Sequence, residues 1–323
     1  MADPATQMLL ADIGATNARF ALLRRGGEVG PVRTLAVAAY PQFTDAVAAF
    51  LTSERARVAG AVLAVAGPIE NERVVMTNCP WVIDAAEVRQ ALGVSAVRVI
   101  NDFEATAWSL AALDPSHVAG VGAGRAVAGA PMVVLGPGSG LGLASHVPRA
   151  DAPVVIATEG GHVTFPASTP REDAVIAWLR GQFGHVSAER ALSGPGLENL
   201  YRAIAAVDGA AVPERDATAI TQEGVTGTCP VSRAALDMFC AMLGTFAGNA
   251  ALSFGARGGV FIAGGIAPRI VDYLLKSELR ARFDAKGRLR AYMETIPLNV
   301  IVHPDYAFIG LKSLVARSDN ARN

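Results

Sequence analysis

The hydrophobic positions of this chain fall into short runs, most of which end near glycine, asparagine or aspartate. Largely apolar runs of a length typical of buried strands occupy positions 8–11, 18–23, 61–66, 97–100, 132–135, 141–147 and 259–263. Apolar residues at helical spacing follow several of these runs, and the longest such segment covers residues 231–254. Strands that come first, with helices interleaved later, predict an α/β fold.

Composition allows two α/β units of this kind. The chain has 323 residues, of which 51% are hydrophobic and 18% are charged, and this is enough for two buried cores. Residues 114–129 are rich in glycine and alanine, and they predict a crossover between the units. The net charge of -1 gives no electrostatic basis for binding nucleic acid or an anionic membrane surface.

The sequence also predicts a cytoplasmic location. Cys79, Cys229 and Cys240 form no CxxC pair, which argues against a structural zinc site or a disulfide framework. The N-terminal residues lack a basic region and a long apolar run, so we expect no signal peptide. No stretch reaches the roughly 18 uninterrupted apolar residues of a membrane span, so we expect no membrane partner.

Residues 97–110, where an apolar run meets a helical pattern, hold the first candidate for chemistry. The run ends at Asn101-Asp102, and a helical pattern follows from Glu104 to Leu110. Open α/β sheets bind ligands outside the carboxyl ends of their strands. For an aspartate at such a junction taken alone, however, helix capping by Asp102 is the favoured interpretation.

Two strand–turn–strand patterns, one near the start of each half of the chain, repeat one another. The first turn carries Asp12, Gly14, Thr16 and Asn17, and of these Gly14 and Asn17 tolerate a positive φ. Backbone N–H groups, a hydroxyl and a carboxylate are what phosphates and a hydrated Mg²⁺ require. A bare hairpin is the alternative. It is weaker for the second turn, residues 136–140, where the glycine content indicates close approach by a ligand.

Further polar side chains lie in the second half of the chain. Glu159 and His162 flank a glycine pair, and Glu189 precedes another glycine turn. With Asn101 and Asp102 they suit a ring of hydroxyl groups, which must be hydrogen-bonded to be held tightly. One carboxylate can also accept the proton of a hydroxyl that attacks phosphorus, a contribution of roughly 10²- to 10⁴-fold. The chain has no GxxxxGK[ST] motif, which excludes a P-loop enzyme.

Six segments occur in the order ADIGATNARFALL, INDFEATAW, LGPGSGLGLA, TEGGHVTF, HVSAERALSGPGLENLYRAI and VFIAGGIAPR. In order and spacing they resemble the bacterial, ATP-dependent glucokinases, and the resemblance covers nearly the whole chain. It implies the two-domain, ribonuclease H-like α/β fold of hexokinases, actin and the heat-shock chaperone ATPases, with an active-site cleft between the domains. The predicted domains are residues 1–113 with 303–323, and residues 114–302.

The resemblance implies phosphorylation of glucose to glucose 6-phosphate, with ATP and Mg²⁺ as cofactors and a homodimer as the assembly. Asp102 would be the base that takes the proton from the sugar 6-hydroxyl. The glucose-binding residues that it implies are Asn101, Asp102, Glu159, His162 and Glu189. The ATP-binding residues that it implies are Ala11, Asp12, Ile13, Gly14, Ala15, Thr16, Asn17, Gly138, Ser139, Gly140, Gly264 and Gly265, with Asp12 also holding Mg²⁺ through water.

Two departures from the family pattern bear on these assignments. Ala11 and Ala15 stand where the family usually has glycine, and methyl groups at both positions would slightly tighten the phosphate turn. The cysteine-rich zinc motif of related repressor and sugar-kinase proteins is absent after the histidine. His162 is therefore left with a hydrogen-bonding role toward the sugar.

Some alternatives stay open. A kinase for another hexose, such as mannose, fructose or an amino sugar, is the nearest, because epimers differ in one hydroxyl and few contacts. A non-catalytic regulator that senses sugar or nucleotide on the same fold is a second. Arg19 either adds positive charge to the first turn or lies on a solvated face, and we expect Asp305 to be structural.

Overall fold

The computed structural model describes residues 7–76 and 79–320, so the prediction about a signal peptide lies largely outside the described range. The strands are β1 (Met8–Ile13), β2 (Asn17–Leu23), β3 (Arg33–Ala36), β4 (Gly60–Val65), β5 (Arg73–Val75), β6 (Val82–Asp84), β7 (Ala96–Asn101), β8 (Val118–Gly120), β9 (Met132–Pro137), β10 (Leu141–Val147), β11 (Val154–Thr158), β12 (Gly259–Ile262) and β13 (Leu298–Ile301). The α-helices are α1 (Phe43–Glu54), α2 (Ala85–Leu92), α3 (Asp102–Ser109), α4 (Pro170–Phe183), α5 (Gly194–Asp208), α6 (Ala217–Thr226), α7 (Pro230–Phe254), α8 (Val271–Leu274), α9 (Leu279–Asp284), α10 (Arg290–Glu294) and α11 (Tyr306–Asn320).

The chain divides into two units. The first contains the residues up to Asp114 and those from His303 onward, and the second contains Pro115–Val302. Each unit has its own cluster of buried apolar side chains. The last helix, α11, therefore belongs to the unit in which the chain begins.

Each unit is built on a mixed sheet, and the two sheets share one topology. The first has the strand order β3-β2-β1-β4-β7, and the second has the order β11-β10-β9-β12-β13 with β8 added at its edge. In both sheets the first hairpin is antiparallel and the next two strands run parallel to its first strand. The predicted α/β fold and its internal duplication are confirmed.

Buried apolar side chains explain why the central strands form. All six residues of β4 are buried, as expected for a parallel strand covered on both faces. On β1 the side chains of Leu9, Ala11 and Ile13 belong to the core cluster of the first unit. Asp12 lies between two of them in sequence and therefore points to the opposite face of the sheet.

Several elements were not expected from the sequence, among them the short helices α9 and α10. The predicted crossover at residues 114–129 contains β8, which pairs with β13 at the edge of the second sheet. Strand β11 and helix α6 were also missed. β8 is only three residues long, whereas β11 was missed although residues 154–157 form a short apolar run.

Helix α7 is the core helix of the second unit. It is the one helix of the described residues whose length and composition would allow it to cross a membrane, but 83% of its most apolar window is buried inside the protein. Its predicted role in packing is confirmed, because Phe239, Met242 and Phe246 lie in the core cluster.

The last helix packs closely on the helix that begins at Asp102. A Cβ atom at Gly310 of α11 would lie 1.8 Å from the carbonyl oxygen of Ala105 in α3, so only glycine fits there. The Arg317 guanidinium also lies 5.3 Å from the centre of the Trp108 ring, a cation–π distance. These contacts fix the position of α3 within the first unit.

Substitution of Gly310 by alanine tests this contact. We expect a loss of about 1–3 kcal/mol in the free energy of unfolding, because an added methyl group must push the two helices apart. Gly181 in α4 is the matched control, since a Cβ atom there would meet nothing within 4 Å, and Gly181→Ala should stabilise by up to about 1 kcal/mol through helix propensity. Urea unfolding measures both, and equal effects would contradict the packing argument.

Candidate active site

The junction between β7 and α3 is capped by Asn101. Its side-chain oxygen accepts hydrogen bonds from the backbone N–H groups of Phe103 at 2.8 Å and Glu104 at 3.3 Å. Its amide nitrogen donates to the carbonyl of Gly67 at 3.3 Å. The interpretation of Asp102 as the N-cap is therefore wrong, because the last residue of the strand already has the extended backbone of a capping residue.

Asp102 is instead the first residue of α3. Its side chain is half-buried, and Oδ1 accepts from the backbone N–H of Phe103 at 2.9 Å. A carboxylate in the first turn of a helix is stabilised in its ionised form by the helix dipole. A carboxylate at this position is suited to accepting a proton from a bound hydroxyl.

The turns of the two equivalent hairpins each present backbone donors. In the first, Gly14 N–H donates to Asn17 O at 3.0 Å, and in the second, Gly138 N–H donates to Gly140 O at 2.8 Å. Within residues 7–76 and 79–320, the N–H groups of the two residues after each of these glycines donate to no acceptor. They are Ala15 and Thr16 in the first turn and Ser139 and Gly140 in the second. Such successive N–H groups form an anion-binding concavity.

The fold itself does not require glycine at several of these positions. Neither Gly14 nor Asn17 has a positive φ. A Cβ atom on Gly14 would make an ordinary contact of 3.5 Å with Asn17 O, and one on Gly265 would meet nothing within 4 Å. Gly264 differs, since its φ is +86° and a Cβ atom would lie 2.4 Å from Pro137 O. Gly14 and Gly265 therefore leave space for something outside the fold, whereas Gly264 is needed by the backbone.

The two alanines of the first turn differ in position. The methyl group of Ala11 is completely buried in the core, so the expectation that it tightens the phosphate turn is wrong. Ala15 lies in the turn itself and is half-buried. Only the Ala15 methyl group is placed to affect a ligand of this turn.

Asp12 is paired with Arg19 across the hairpin. The two residues are direct partners in the register of β1 and β2, and Arg19 Nη1 lies 3.3 Å from Asp12 Oδ2. Burial raises the pKa of the Asp12 carboxyl above its ordinary value, although the Arg19 guanidinium acts in the opposite direction. The negative charge of the ionised Asp12 carboxylate is therefore only partly balanced by Arg19, and a cation nearby would stabilise it.

The residues around Asp12 fit a magnesium ion that keeps several of its waters. No group of three or more His, Cys, Asp or Glu residues that could hold a metal occurs in the described part of the chain. Mg²⁺ usually keeps several waters and binds through one or two carboxylates together with substrate phosphates. A single carboxylate whose charge is only partly balanced, next to a turn with backbone N–H donors for a phosphate, matches that mode of binding.

In the second unit the structure brings three of the predicted sugar-binding residues onto adjoining segments. Glu159 directly precedes a short 3₁₀ turn and His162 ends it, with His162 Nε2 3.9 Å from Glu159 Oε2, and both side chains are exposed. Glu189 Oε2 accepts from the backbone N–H of Leu141 at 2.9 Å. The backbone bond from Ala188 N–H to Val163 O, 2.9 Å, joins the two segments.

Glycines make this arrangement possible. Cβ atoms at Gly160 and Gly161 would lie 2.2 Å from Leu143 Cδ2 and 2.0 Å from Leu141 O, so this pair lets the segment press against β10. A Cβ atom at Gly140 would lie 2.5 Å from Glu189 Oε2. Only glycine therefore fits at the points where the segments that carry these polar side chains approach β10.

A cavity of about 340 Å³ adjoins the second turn. It is bounded by Gly138 and Gly265, by helix α6, and by Ile266 with the 3₁₀ segment Ala267–Ile270 that follows it. Sequence reasoning missed the wall that α6 provides, because its Thr, Gln and Val residues match no motif. The cavity is large enough for a flat ring system of ligand type.

Two duplicated α/β units, each with an N–H-rich turn at its first hairpin, define the hexokinase- and actin-like fold. The sequence model of the glucokinase family matches residues 9–318. A glucokinase of Paramagnetospirillum magneticum is 49% identical to this chain, covering 97% of it and 99% of its own length. The chain belongs to the glucokinase family, and its activity is the phosphorylation of glucose.

Solved structures agree with this assignment. The crystal structure of a glucokinase from an Antarctic psychrotroph is 36% identical, covers 96% of this chain and 99% of its own, and has a TM-score of 0.86. A ROK family glucokinase from Streptomyces griseus, solved in complex with glucose and AMPPNP, is 19% identical with a TM-score of 0.64, covering 97% of this chain and 99% of its own. The second similarity shows the shared fold.

The two kinds of glycine generate a testable contrast. Gly14→Ala should keep the free energy of unfolding within about 0.5 kcal/mol of the parent, while AMPPNP binding weakens by about 10-fold or more because the methyl group occupies ligand space. Gly264→Ala should lose about 1–3 kcal/mol of stability through backbone strain. Urea unfolding and calorimetric titration measure these effects. An unstable Gly14→Ala variant would show that the fold needs this glycine after all.

Proposed function

We propose that this enzyme transfers the γ-phosphoryl group of ATP to the 6-hydroxyl of glucose, with Asp102 as the general base. The observation that carries the proposal is the pair of equivalent hairpin turns, each with two successive N–H groups that have no acceptor in the described residues. An N–H-rich turn of this kind suits a polyphosphate, which offers oxygens on several phosphorus atoms. The AMPPNP and glucose bound to the Streptomyces griseus enzyme support the same pair of substrates.

The nucleotide would be held mainly by the second unit. The turn Gly138-Ser139-Gly140 would take phosphate oxygens through its N–H groups, and the adjoining cavity would take the adenosine. Gly265 lines that cavity and has no atom within 4 Å of a Cβ position, so a ring can lie against its backbone. In the first unit, residues Ala11–Asn17 would contribute through the N–H groups of Ala15 and Thr16 and the hydroxyl of Thr16.

Asp12 would hold Mg²⁺ through water. The ion, when bound, neutralises charge that develops on the transferred phosphoryl group and its leaving oxygen. The role of the protein is to supply one carboxylate at a fixed place, and Arg19 holds that carboxylate from the side. Asp12→Asn would remove the ligand without removing a core contact.

The sugar would be held by hydrogen bonds between its hydroxyls and polar side chains. Glu159, His162 and Glu189 would accept from or donate to its hydroxyls, and Asn101 would donate through its amide, since its oxygen is used by the helix cap. The Glu189 carboxylate is held in place by the N–H of Leu141. A fixed carboxylate loses less conformational freedom when a hydroxyl binds to it.

Asp102 would accept the proton from the 6-hydroxyl as that oxygen attacks phosphorus. In the balance of the reaction, the bond from the sugar oxygen to phosphorus forms, the bond from phosphorus to the bridging oxygen of ADP breaks, and the hydroxyl proton passes to the carboxylate. Most of the rate enhancement would come from holding the hydroxyl in line and from charge stabilisation by N–H donors. The carboxylate adds roughly 10²- to 10⁴-fold.

The assembled enzyme is proposed to be a cytoplasmic homodimer. The family supports this assembly, and so does the edge strand β11, where the side chains of Val154 and Ile156 are 41% and 42% exposed. Apolar side chains on an open strand edge are typical of a surface that pairs with another chain.

Asp102→Asn tests the base. We expect turnover to fall by at least about 10²-fold, because an amide cannot accept the proton, while the dissociation constant for glucose changes little. Glu104→Gln in the same helix is the control, since Glu104 is bonded to Arg98 and Trp108, and it should keep turnover near the parent value. Normal turnover in Asp102→Asn would show that another group takes the proton.

Glu159→Gln tests the sugar contacts. The side chain is 65% exposed, so its replacement should not disturb folding. We expect glucose binding to weaken by about 10-fold or more and AMPPNP binding to stay within about twofold, both by calorimetric titration. Glu214→Gln, another exposed carboxylate of the second unit, should leave both affinities unchanged. Equal losses of the two ligands in Glu159→Gln would point to a general defect rather than a sugar contact.

A further inference from the structure

Asp305 lies directly before α11 and its carboxylate is bonded to the arginine that holds Asp12. Arg19 Nη2 donates to Asp305 Oδ1, and Arg19 Nη1 donates to the backbone carbonyl of Pro304 at 3.3 Å. The same guanidinium lies 5.3 Å from the centre of the Phe308 ring. Three groups of the segment that returns to the first unit thus fix the far side of Arg19.

The near side of Arg19 faces Asp12. The Nη1 atom that donates to Pro304 O also donates to Asp12 Oδ2 at 3.3 Å. Arg19 and Asp12 are 25% and 23% exposed, and Asp305 is 37% exposed. The three charges therefore lie in partly buried surroundings, where salt screens their interaction less than it would on an open surface.

Asp305 stands where an aspartate usually caps a helix, but its carboxylate binds Arg19 instead. An aspartate directly before a helix usually accepts hydrogen bonds from the first-turn N–H groups, which stabilises the helix by about 0.5–2 kcal/mol. Within residues 7–76 and 79–320, the Asp305 carboxylate accepts from Arg19 and not from the first-turn N–H groups of α11. Its backbone is held by the bond from Asp305 N–H to His303 Nδ1 at 3.1 Å. The Asp305 side chain therefore binds Arg19 and does not cap α11.

We propose that Asp305 is a positioning residue for magnesium: it holds Arg19 in place beside Asp12 and cancels the charge that Arg19 brings there. The proposal rests on the proposed role of Asp12. An arginine next to a metal-binding carboxylate orients it but also repels a dication. Asp12, Arg19 and Asp305 together carry a net charge of -1, which attracts the ion, whereas Asp12 and Arg19 without Asp305 carry none. This proposed role goes beyond the structural role that the sequence led us to expect for Asp305.

The direct test is the affinity of Mn²⁺ for the enzyme–ADP–glucose complex, measured by electron paramagnetic resonance. We expect Asp305→Asn to weaken Mn²⁺ binding by about 3- to 10-fold, the size of effect that one charge has on a nearby dication, while the dissociation constant for glucose is unchanged. Asp305→Glu restores the charge and should recover most of the affinity. Glu54→Gln breaks another ion pair of the first unit, that with Arg33, and should leave Mn²⁺ binding unchanged.

A double substitution separates charge from packing. Arg19→Gln combined with Asp305→Asn leaves the charge of Asp12 alone, so Mn²⁺ affinity should return toward the parent value. A purely structural role for Asp305 predicts instead that the double variant binds Mn²⁺ no better than Asp305→Asn. That result, or unchanged Mn²⁺ affinity in a folded Asp305→Asn variant, would overturn the proposal.

The same assay distinguishes this inference from the proposed function. Asp12→Asn should lose Mn²⁺ affinity by more than Asp305→Asn does. If Asp12→Asn binds Mn²⁺ as the parent does, the assignment of Asp12 fails and the role of Asp305 fails with it. If Asp12→Asn loses the ion and Asp305→Asn does not, the proposed function stands and only the inference about Asp305 is wrong.

Discussion

The contact between Gly310 and Ala105 is the constraint on which the first unit depends. At that point a helix from the end of the chain lies so close to α3 that no side chain fits between them. The helix α3 begins at Asp102, so the last helix decides where the candidate base is held. The segment before the same helix carries Asp305, which reaches the arginine beside Asp12. One returning segment thus supports both the candidate base and the proposed phosphate turn.

Glycine serves two different purposes in this protein. At Gly310, Gly264, Gly160 and Gly161 a Cβ atom would collide with a neighbouring backbone or side chain, so the fold itself excludes any larger residue. At Gly14 and Gly265 there is room for a methyl group in the protein, so the fold does not exclude a larger residue. We propose that at these two positions a ligand comes close to the backbone.

Much of the architecture could be predicted from the sequence, because the central strands are continuous apolar runs. Strands β4, β9 and β12 can be recognised in this way, and so can the core helix α7. Strand β8 could not be predicted, since it is three residues long and gains its structure from a neighbour in the sheet. Strand β11 was missed although residues 154–157 form a short apolar run. Helix α6 was missed although it lines a cavity beside the second turn.

The candidate site was predictable as a set of residues but not as a set of contacts. The motifs identified Asp102, Glu159, His162 and Glu189, yet they could not show that Asn101 takes the cap of α3. They also could not show that the methyl group of Ala11 points into the core, because the facing of a strand residue follows from sheet pairing. The role of Asp305 depends on a contact between residues separated by 286 positions, which no local pattern reveals.

The central claim is that Asp102 takes the proton of the sugar 6-hydroxyl. A crystal structure with glucose, AMPPNP and Mg²⁺ bound tests it most directly, through the distance from the 6-hydroxyl oxygen to the nearer oxygen of the Asp102 carboxylate. The account predicts a hydrogen bond of about 2.6–3.2 Å, with the hydroxyl oxygen also facing the terminal phosphorus of the nucleotide. A 6-hydroxyl that is bonded to a different carboxylate, with Asp102 out of reach, would contradict it.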